Sequence, residues 1–119
     1  MPAIGLKAAL VGLLLASAPG MAADRYWIDV RTPDEYASGH VSGAVNIPYD
    51  VIGEQIGQVT QDHEAVIYLY CRSGRRSGLA LETLTAAGYR NAVNAGGLEE
   101  AERMAASLPT CAERSPDDC

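Results

Sequence analysis

The sequence predicts an α/β fold in which helices flank a parallel β-sheet. Segments typical of strands alternate with segments typical of helices, which is the pattern of a parallel sheet covered on both faces. One segment, residues 65–70, is almost continuously apolar, as expected for a strand buried on both sides. The chain has 119 residues, of which 48% are hydrophobic and 20% charged, so we expect one globular domain.

Each element follows from its local residue types. A run rich in β-formers is followed by Pro33, which can begin a helix. Leu81 and Leu84 share a face of a later helix that Gly88 ends. In chain order, we predict strands at residues 26–30, 44–47, 65–70 and 91–93, and helices at residues 33–36, 51–56, 77–87 and 98–107.

Residues 1–23 differ from the rest of the chain. Lys7 precedes an apolar run at residues 8–16, and small residues follow, which is the order of a secretory signal peptide. The alternative, a membrane anchor, would need about 20 apolar residues. We therefore expect a cleaved leader, a periplasmic or secreted protein, and no stable membrane insertion after cleavage. The predicted division is a signal peptide at 1–23, a domain at 24–108 and a polar tail at 109–119.

Charge restricts the partners. The formal net charge is −6 at pH 7, which disfavours nucleic acid because phosphate backbones are bound by Lys and Arg. Arg72, Arg75 and Arg76 nevertheless lie within five residues, and a local basic cluster indicates a small anionic ligand or else a solvated loop. The two distant histidines and three scattered cysteines lack metal-ligand spacing. We expect no metal or other cofactor, and a monomer.

Cys71 is the candidate nucleophile. It follows the apolar strand directly and precedes a helix, at the edge where parallel α/β sheets bind ligands. A tight loop, permitted by Gly74, would aim N–H groups at the sulfur, and the arginines would add positive charge. Both favour the reactive thiolate, and both would hold an oxyanion. The alternative is an inert core cysteine, which the adjacent charges disfavour.

Four other polar residues could contribute to the site or to the fold. Asp29 ends the first strand and could orient the loop indirectly or make a purely structural hydrogen bond. Arg31 stands four residues before Glu35, and we expect a structural ion pair. His40 lies between glycine turns, but a thiolate already formed by its loop needs no base. His63 lies in a polar segment and should be exposed.

Two cysteines remain in the polar tail. Cys111 and Cys119 could pair in an oxidising compartment and leave Cys71 as the odd thiol. Other pairings stay open, including a tail cysteine that resolves Cys71 in a thiol-disulfide reaction.

Three motifs in order resemble the rhodanese family. Residues 28–36 (IDVRTPDEY) and 39–48 (GHVSGAVNIP) resemble its first signature. Cys71 and the five residues after it resemble its active-site loop, and residues 94–97 (NAGG) resemble its later double-glycine turn. The resemblance covers residues 26–102. It departs in the last helix, where many members carry an aromatic residue and this chain has Leu-Glu-Glu-Ala-Glu.

The resemblance implies a five-stranded parallel sheet and transfer of sulfur from thiosulfate to cyanide or a thiol. Cys71 would be the nucleophile that becomes a persulfide, stabilised by backbone N–H groups of the loop. Arg72 and Arg76 would hold the sulfonate end of thiosulfate, and Arg75 has a less defined role. The implied substrate-binding set is Arg72, Ser73, Gly74, Arg75 and Arg76.

Two other functional classes share parts of this pattern. Cysteine phosphatases and arsenate reductases place an arginine six positions after the cysteine. Here that position is Ser77, and the arginine comes one residue earlier, so sulfur transfer is favoured. Non-catalytic rhodanese modules typically lack the cysteine that this chain keeps.

Overall fold

The computed structural model describes residues 24–108. The predicted signal peptide at 1–23 and the predicted tail at 109–119, with its two cysteines, lie outside the described residues. Within them, no helix is both long and apolar enough to span a bilayer. The elements are β1 (Arg25–Asp29), α1 (Pro33–Ala37), β2 (Val45–Asn46), α2 (Ile52–Gln55), a 3₁₀ helix (Ile56–Gln58), β3 (Val66–Cys71), α3 (Arg75–Ala86), β4 (Asn91–Gly97) and α4 (Leu98–Ser107).

The four strands form one parallel sheet in the order β2-β1-β3-β4. This confirms the predicted α/β fold, although residues 24–108 contain four strands and not the five that the resemblance implies. Between β2 and β3 the chain forms α2 and the 3₁₀ helix, in the region where a helix at 51–56 is predicted. Ile52 and Ile56, four residues apart, are both buried in the core, as expected for two residues on one face of a helix.

The core lies on both faces of the sheet. Ile67 and Leu69 of β3 join a cluster that includes Leu84 of α3, whereas Tyr70 joins a second cluster that includes Ala101 of α4. Successive side chains of a strand point to opposite faces. Because both faces are covered, nearly every residue of β3 is buried, which explains its continuous apolar run. Each fully buried Leu or Ile stabilises such a core by about 1.5–3 kcal/mol.

The turn from β3 into α3 positions the site. Cys71 is the last residue of β3 and α3 begins at Arg75, two residues before the predicted start. Gly74 caps the helix with φ of +99°, a left-handed conformation that favours glycine. The neighbouring β4–α4 turn touches this loop, since a Cβ added at Gly97 would collide with the Arg72 carbonyl oxygen.

Candidate active site

The sulfur of Cys71 lies at the base of the β3–α3 loop. The Gly74 backbone N–H donates to Sγ at 2.9 Å, and the Ser77 hydroxyl oxygen lies 3.6 Å from Sγ. Only 1% of Cys71 is exposed. The cysteine is therefore as buried as a core cysteine, but it has polar neighbours that an apolar site would not supply.

Two opposing effects act on the Cys71 thiol. Burial raises its pKa, while hydrogen bonds from the Ser77 hydroxyl and from the backbone N–H groups of Ser77, Ser73 and Gly74 lower it. The hydrogen bonds outweigh burial, so the pKa lies below the ordinary value of a thiol. A lowered pKa marks a reactive cysteine, whereas an inert one in apolar surroundings has a raised pKa.

The three arginines of the loop have different surroundings. Arg76 is paired with Glu35 of α1 through two hydrogen bonds, from Nη1 to Oε1 at 2.9 Å and from Nη2 to Oε2 at 3.1 Å. The hydrogen bond from Arg76, followed by the one from the Thr32 backbone, lowers the pKa of Glu35 to about 2. Arg72 and Arg75 are exposed. The structure thus gives Arg76 a carboxylate partner inside the protein and leaves the other two facing solvent.

The predicted Arg31–Glu35 ion pair is wrong. Arg31 belongs to the segment before α1, whose N-cap is Thr32, so the two residues do not share a helical face as the i, i+4 rule requires. Arg31 instead donates to both carboxylate oxygens of Asp29, with Nε–Oδ1 at 2.9 Å and Nη2–Oδ2 at 2.6 Å. The pair is almost fully buried, and removal of one partner from a buried pair is strongly destabilising.

Asp29 connects the end of β1 to neighbouring segments through hydrogen bonds. Besides Arg31, it accepts a hydrogen bond from the Tyr70 hydroxyl at 3.0 Å, and that hydroxyl accepts one from the Val41 backbone N–H at 2.9 Å. Arg31 also donates to the Gly39 carbonyl at 2.6 Å. None of these hydrogen bonds reaches residues 71–77. The contacts of Asp29 therefore agree with a structural hydrogen-bonding role. Any effect of Asp29 on the loop would pass through Tyr70, which precedes Cys71.

A cluster that the sequence analysis did not assign to the site joins the loop to β4. Ser77 is fully buried, and its Oγ lies 2.7 Å from Asn94 Oδ1 and 3.1 Å from the Gly74 carbonyl oxygen. Asn94 Nδ2 donates to the same carbonyl at 3.0 Å. Asn94 lies in the double-glycine motif, and Ser77 directly follows the active-site loop. The structure brings the two residues together because β3 and β4 are adjacent parallel strands, whose carboxyl ends meet at one edge of the sheet.

The two histidines lie away from the sulfur contacts. His40 stacks on Tyr36 with ring centroids 3.7 Å apart, and its Nδ1 lies 2.8 Å from the Tyr36 carbonyl oxygen. His63 is exposed, as predicted, and its ring meets the edge of Tyr89. Among residues 24–108, no group of three or more His, Cys, Asp and Glu side chains is placed to hold a metal ion.

An open depression of about 450 Å³ adjoins the loop. Its walls come from the loop and from the start of α4, and they carry both charge signs. The lining residues are Arg72, Ser73, Gly97, Leu98, Glu99 and Glu100. The start of α4 therefore places two carboxylates, those of Glu99 and Glu100, beside the loop.

Comparison with known proteins identifies the family. Residues 15–103 match the rhodanese-like domain. The chain is 43% identical over 94 residues to thiosulfate sulfurtransferase PspE of Escherichia coli K12, covering 79% of this chain and 89% of that protein. A solved structure described as a rhodanese with anions from E. coli matches with a TM-score of 0.62 at 43% identity, over 64% of this chain and 89% of the other.

A human relative extends the similarity. The human single-domain sulfurtransferase TSTD1 matches with a TM-score of 0.56 at 27% identity, over 80% of this chain and 91% of that chain. The chain therefore belongs to the rhodanese-like domain family, as its motifs predict. It is a sulfurtransferase of the rhodanese type.

Proposed function

We propose that the protein is a thiosulfate sulfurtransferase that transfers a sulfane sulfur to cyanide or a thiol through a persulfide on Cys71. The observation that carries the proposal is the hydrogen-bonded sulfur at the end of β3, with the Gly74 N–H at 2.9 Å and a lowered thiol pKa. The signal-peptide pattern of residues 1–23 supports a reaction in the periplasm or outside the cell.

The first half-reaction is attack of the Cys71 thiolate on the outer sulfur of thiosulfate. A new S–S bond forms at Sγ, and the S–S bond of thiosulfate breaks. Sulfite leaves with the electron pair of the broken bond. The exposed guanidinium groups of Arg72 and Arg75 supply positive charge for the sulfonate end, since guanidinium stays protonated and has fixed donors.

Arg76 has a more limited part in this scheme. Its two hydrogen bonds to Glu35 use one N–H of each terminal nitrogen and hold the guanidinium against α1. Its charge still favours an anionic sulfur, because Arg76 and Cys71 interact electrostatically. We therefore assign the main sulfonate contacts to Arg72 and Arg75, in place of the Arg72 and Arg76 that the resemblance implies.

The second half-reaction regenerates the enzyme. The acceptor, a thiolate or cyanide, attacks the outer sulfur of the persulfide, and the Cys71 thiolate leaves with the electrons of the S–S bond. Both steps balance without an external oxidant, reductant or cofactor. Because donor and acceptor react with different forms of the enzyme, ping-pong kinetics should follow.

Intact-mass measurement after incubation with thiosulfate tests this function. The protein should gain the mass of one sulfur atom, about 32 Da, with release of one sulfite. The gain should map to the peptide that contains Cys71. Cys71→Ser is the matched control, since it keeps the size of the side chain and removes the nucleophile, and it should gain nothing.

A wild-type protein that takes up no sulfur would refute the proposal. Turnover of an aryl phosphate by such a protein would favour the phosphatase alternative, even though Ser77 occupies the position where phosphatases carry arginine. Sulfur on a tail cysteine in place of Cys71 would favour the thiol-redox alternative.

A further inference from the structure

The Ser77 hydroxyl has one proton and three neighbours that can accept it. They are Asn94 Oδ1 at 2.7 Å, the Gly74 carbonyl oxygen at 3.1 Å, and Cys71 Sγ at 3.6 Å when the sulfur is ionised. A hydroxyl donates one hydrogen bond at a time. The proton therefore cannot serve the oxygen acceptors and the thiolate together, and its position must change with the charge on Cys71.

The orientation of the Asn94 amide is fixed by two other contacts. The Gly96 backbone N–H donates to Oδ1 at 2.9 Å, and Nδ2 donates to the Gly74 carbonyl at 3.0 Å. A flipped amide would place a donor against the Gly96 N–H and an acceptor against the carbonyl. Asn94 consequently presents its oxygen to Ser77, which makes it a competitor of the sulfur for the hydroxyl proton.

Neither oxygen is left without a donor when Ser77 turns to the sulfur. The Gly74 carbonyl keeps the Gly78 backbone N–H at 3.0 Å and the Asn94 amide. Asn94 Oδ1 keeps the Gly96 N–H. The rotation thus loses one hydroxyl hydrogen bond but creates no unsatisfied buried acceptor, which is the costly outcome.

We propose that Asn94 is a positioning residue that holds the Ser77 hydroxyl proton while Cys71 is a thiol and yields it when the sulfur becomes a thiolate. In the thiol state the S–H donates to Ser77 Oγ, and Ser77 donates to Asn94. In the thiolate state Ser77 donates to Sγ. For its catalytic meaning this rests on the proposed sulfur transfer, because the thiolate attacks the donor and is regenerated at the end of each cycle.

Charged groups near the sulfur also affect the titration of Cys71 and must stay constant in the experiment. Arg76 of α3 interacts electrostatically with Cys71, Glu35 of α1 is paired with Arg76, and Glu100 of α4 accepts from the Gly97 N–H in the adjoining turn. All three stay unchanged in the variants below. Differences in the titration of Cys71 can therefore be assigned to positions 77 and 94.

The experiment is a pH titration of the Cys71 β-carbon by NMR in protein with isotope-labelled cysteine, which needs no reagent to reach the buried sulfur. In Asn94→Asp, a carboxylate binds the Ser77 proton more strongly and adds negative charge, so the pKa of Cys71 should rise by about 1. In Asn94→Ala the competitor is gone, and the pKa should fall by about 0.5. A merely structural role would move both variants in the same direction.

Ser77→Ala supplies the second arm. Asn94→Ala should have no effect on the titration in a Ser77→Ala background, since the hydroxyl that transmits it is absent. A shift that persists there, or a rise in both Asn94 variants, would overturn the proposal. If Asn94→Ala does not fold, the isosteric Asn94→Asp decides alone: its shift should become smaller when Ser77 is removed, and an undiminished shift contradicts the proposal.

Sulfur uptake by the wild-type protein separates this inference from the proposed function. The two Asn94 variants could shift the pKa of Cys71 in opposite directions while the wild type forms no adduct with thiosulfate. That result would support the role of Asn94 and refute thiosulfate as the sulfur donor. A wild-type adduct together with unchanged titrations in the variants would refute the role of Asn94 and leave the sulfurtransferase intact.

Discussion

Replacing Glu35 with Gln tests whether the bond between α1 and the active-site loop depends on charge. Glutamine keeps the side-chain oxygen that accepts the Thr32 backbone N–H at 3.0 Å, so the N-terminal cap of α1 survives. It loses the carboxylate that pairs with Arg76. The substitution therefore removes one interaction between two elements with little change in shape.

The expected cost follows from the pKa of Glu35. The hydrogen bond from Arg76 is the largest cause that lowers this pKa from 4.5 to about 2. Since one pKa unit corresponds to about 1.4 kcal/mol, the whole shift is equivalent to about 3 kcal/mol in the free energy of unfolding, of which the Arg76 hydrogen bond supplies the largest part and Thr32 the next. The Glu35 side chain is 25% exposed, and solvent screening reduces the contribution to about 1–2 kcal/mol.

The pH dependence gives the sign of the effect. The folded pKa lies below the unfolded one, so the stabilisation is complete above about pH 4.5 and is lost as pH falls toward about 2. Urea unfolding of wild type and Glu35→Gln should differ near neutral pH and converge in acid. A difference that is absent at neutral pH, or that is independent of pH, would refute the electrostatic explanation.

Glu64→Gln is the matched control for this measurement. Glu64 pairs with Arg90 at 2.6 Å, but the two side chains are 56% and 65% exposed. Exposed pairs contribute little, so this substitution should change the free energy of unfolding by less than about 0.5 kcal/mol. An equal loss in both variants would show that burial does not distinguish the two pairs.

Three further outcomes are expected. Tyr70→Phe removes the hydroxyl that donates to Asp29 and should lower the free energy of urea unfolding by about 1–3 kcal/mol; no loss would contradict the buried network. Gly97→Ala should slow sulfur uptake in stopped-flow assays at least severalfold, because its Cβ would collide with the Arg72 carbonyl; an unchanged rate would show that the loop yields easily. The rate of sulfur uptake should fall as pH drops through the pKa of Cys71, which lies below the ordinary thiol value; a midpoint at or above that value would exclude loop activation.

The features that could be predicted from the sequence are those with a local signal. The apolar run of β3 must be buried on both faces wherever it lies in the sheet, and the chain direction then places Cys71 at the carboxyl end of that strand. Gly74 before a helix indicates the tight turn that aims its N–H at the sulfur. These inferences need only residue types and their order.

The pairings between distant segments could not be predicted in this way. Glu35 and Arg76 are 41 positions apart, as are Asp29 and Tyr70. Sequence spacing favoured a nearer partner for Glu35, because an i, i+4 relation is visible in one dimension while a contact between α1 and α3 is not. In the sequence, Ser77 drew attention only because it occupies the position where cysteine phosphatases carry an arginine, and its contacts with Cys71 and Asn94 were not predicted.

The burial of Cys71 has a consequence for the order of the proposed reaction. With 1% of the residue exposed, the resting sulfur can be reached only by a small donor whose reactive atom projects, as the outer sulfur of thiosulfate does. In the proposed persulfide the outer sulfur would stand about 2 Å beyond Sγ, the length of an S–S bond. An acceptor does not have to reach as deep as the donor did. In the proposed reaction, the burial that restricts the size of the donor would therefore restrict the acceptor less.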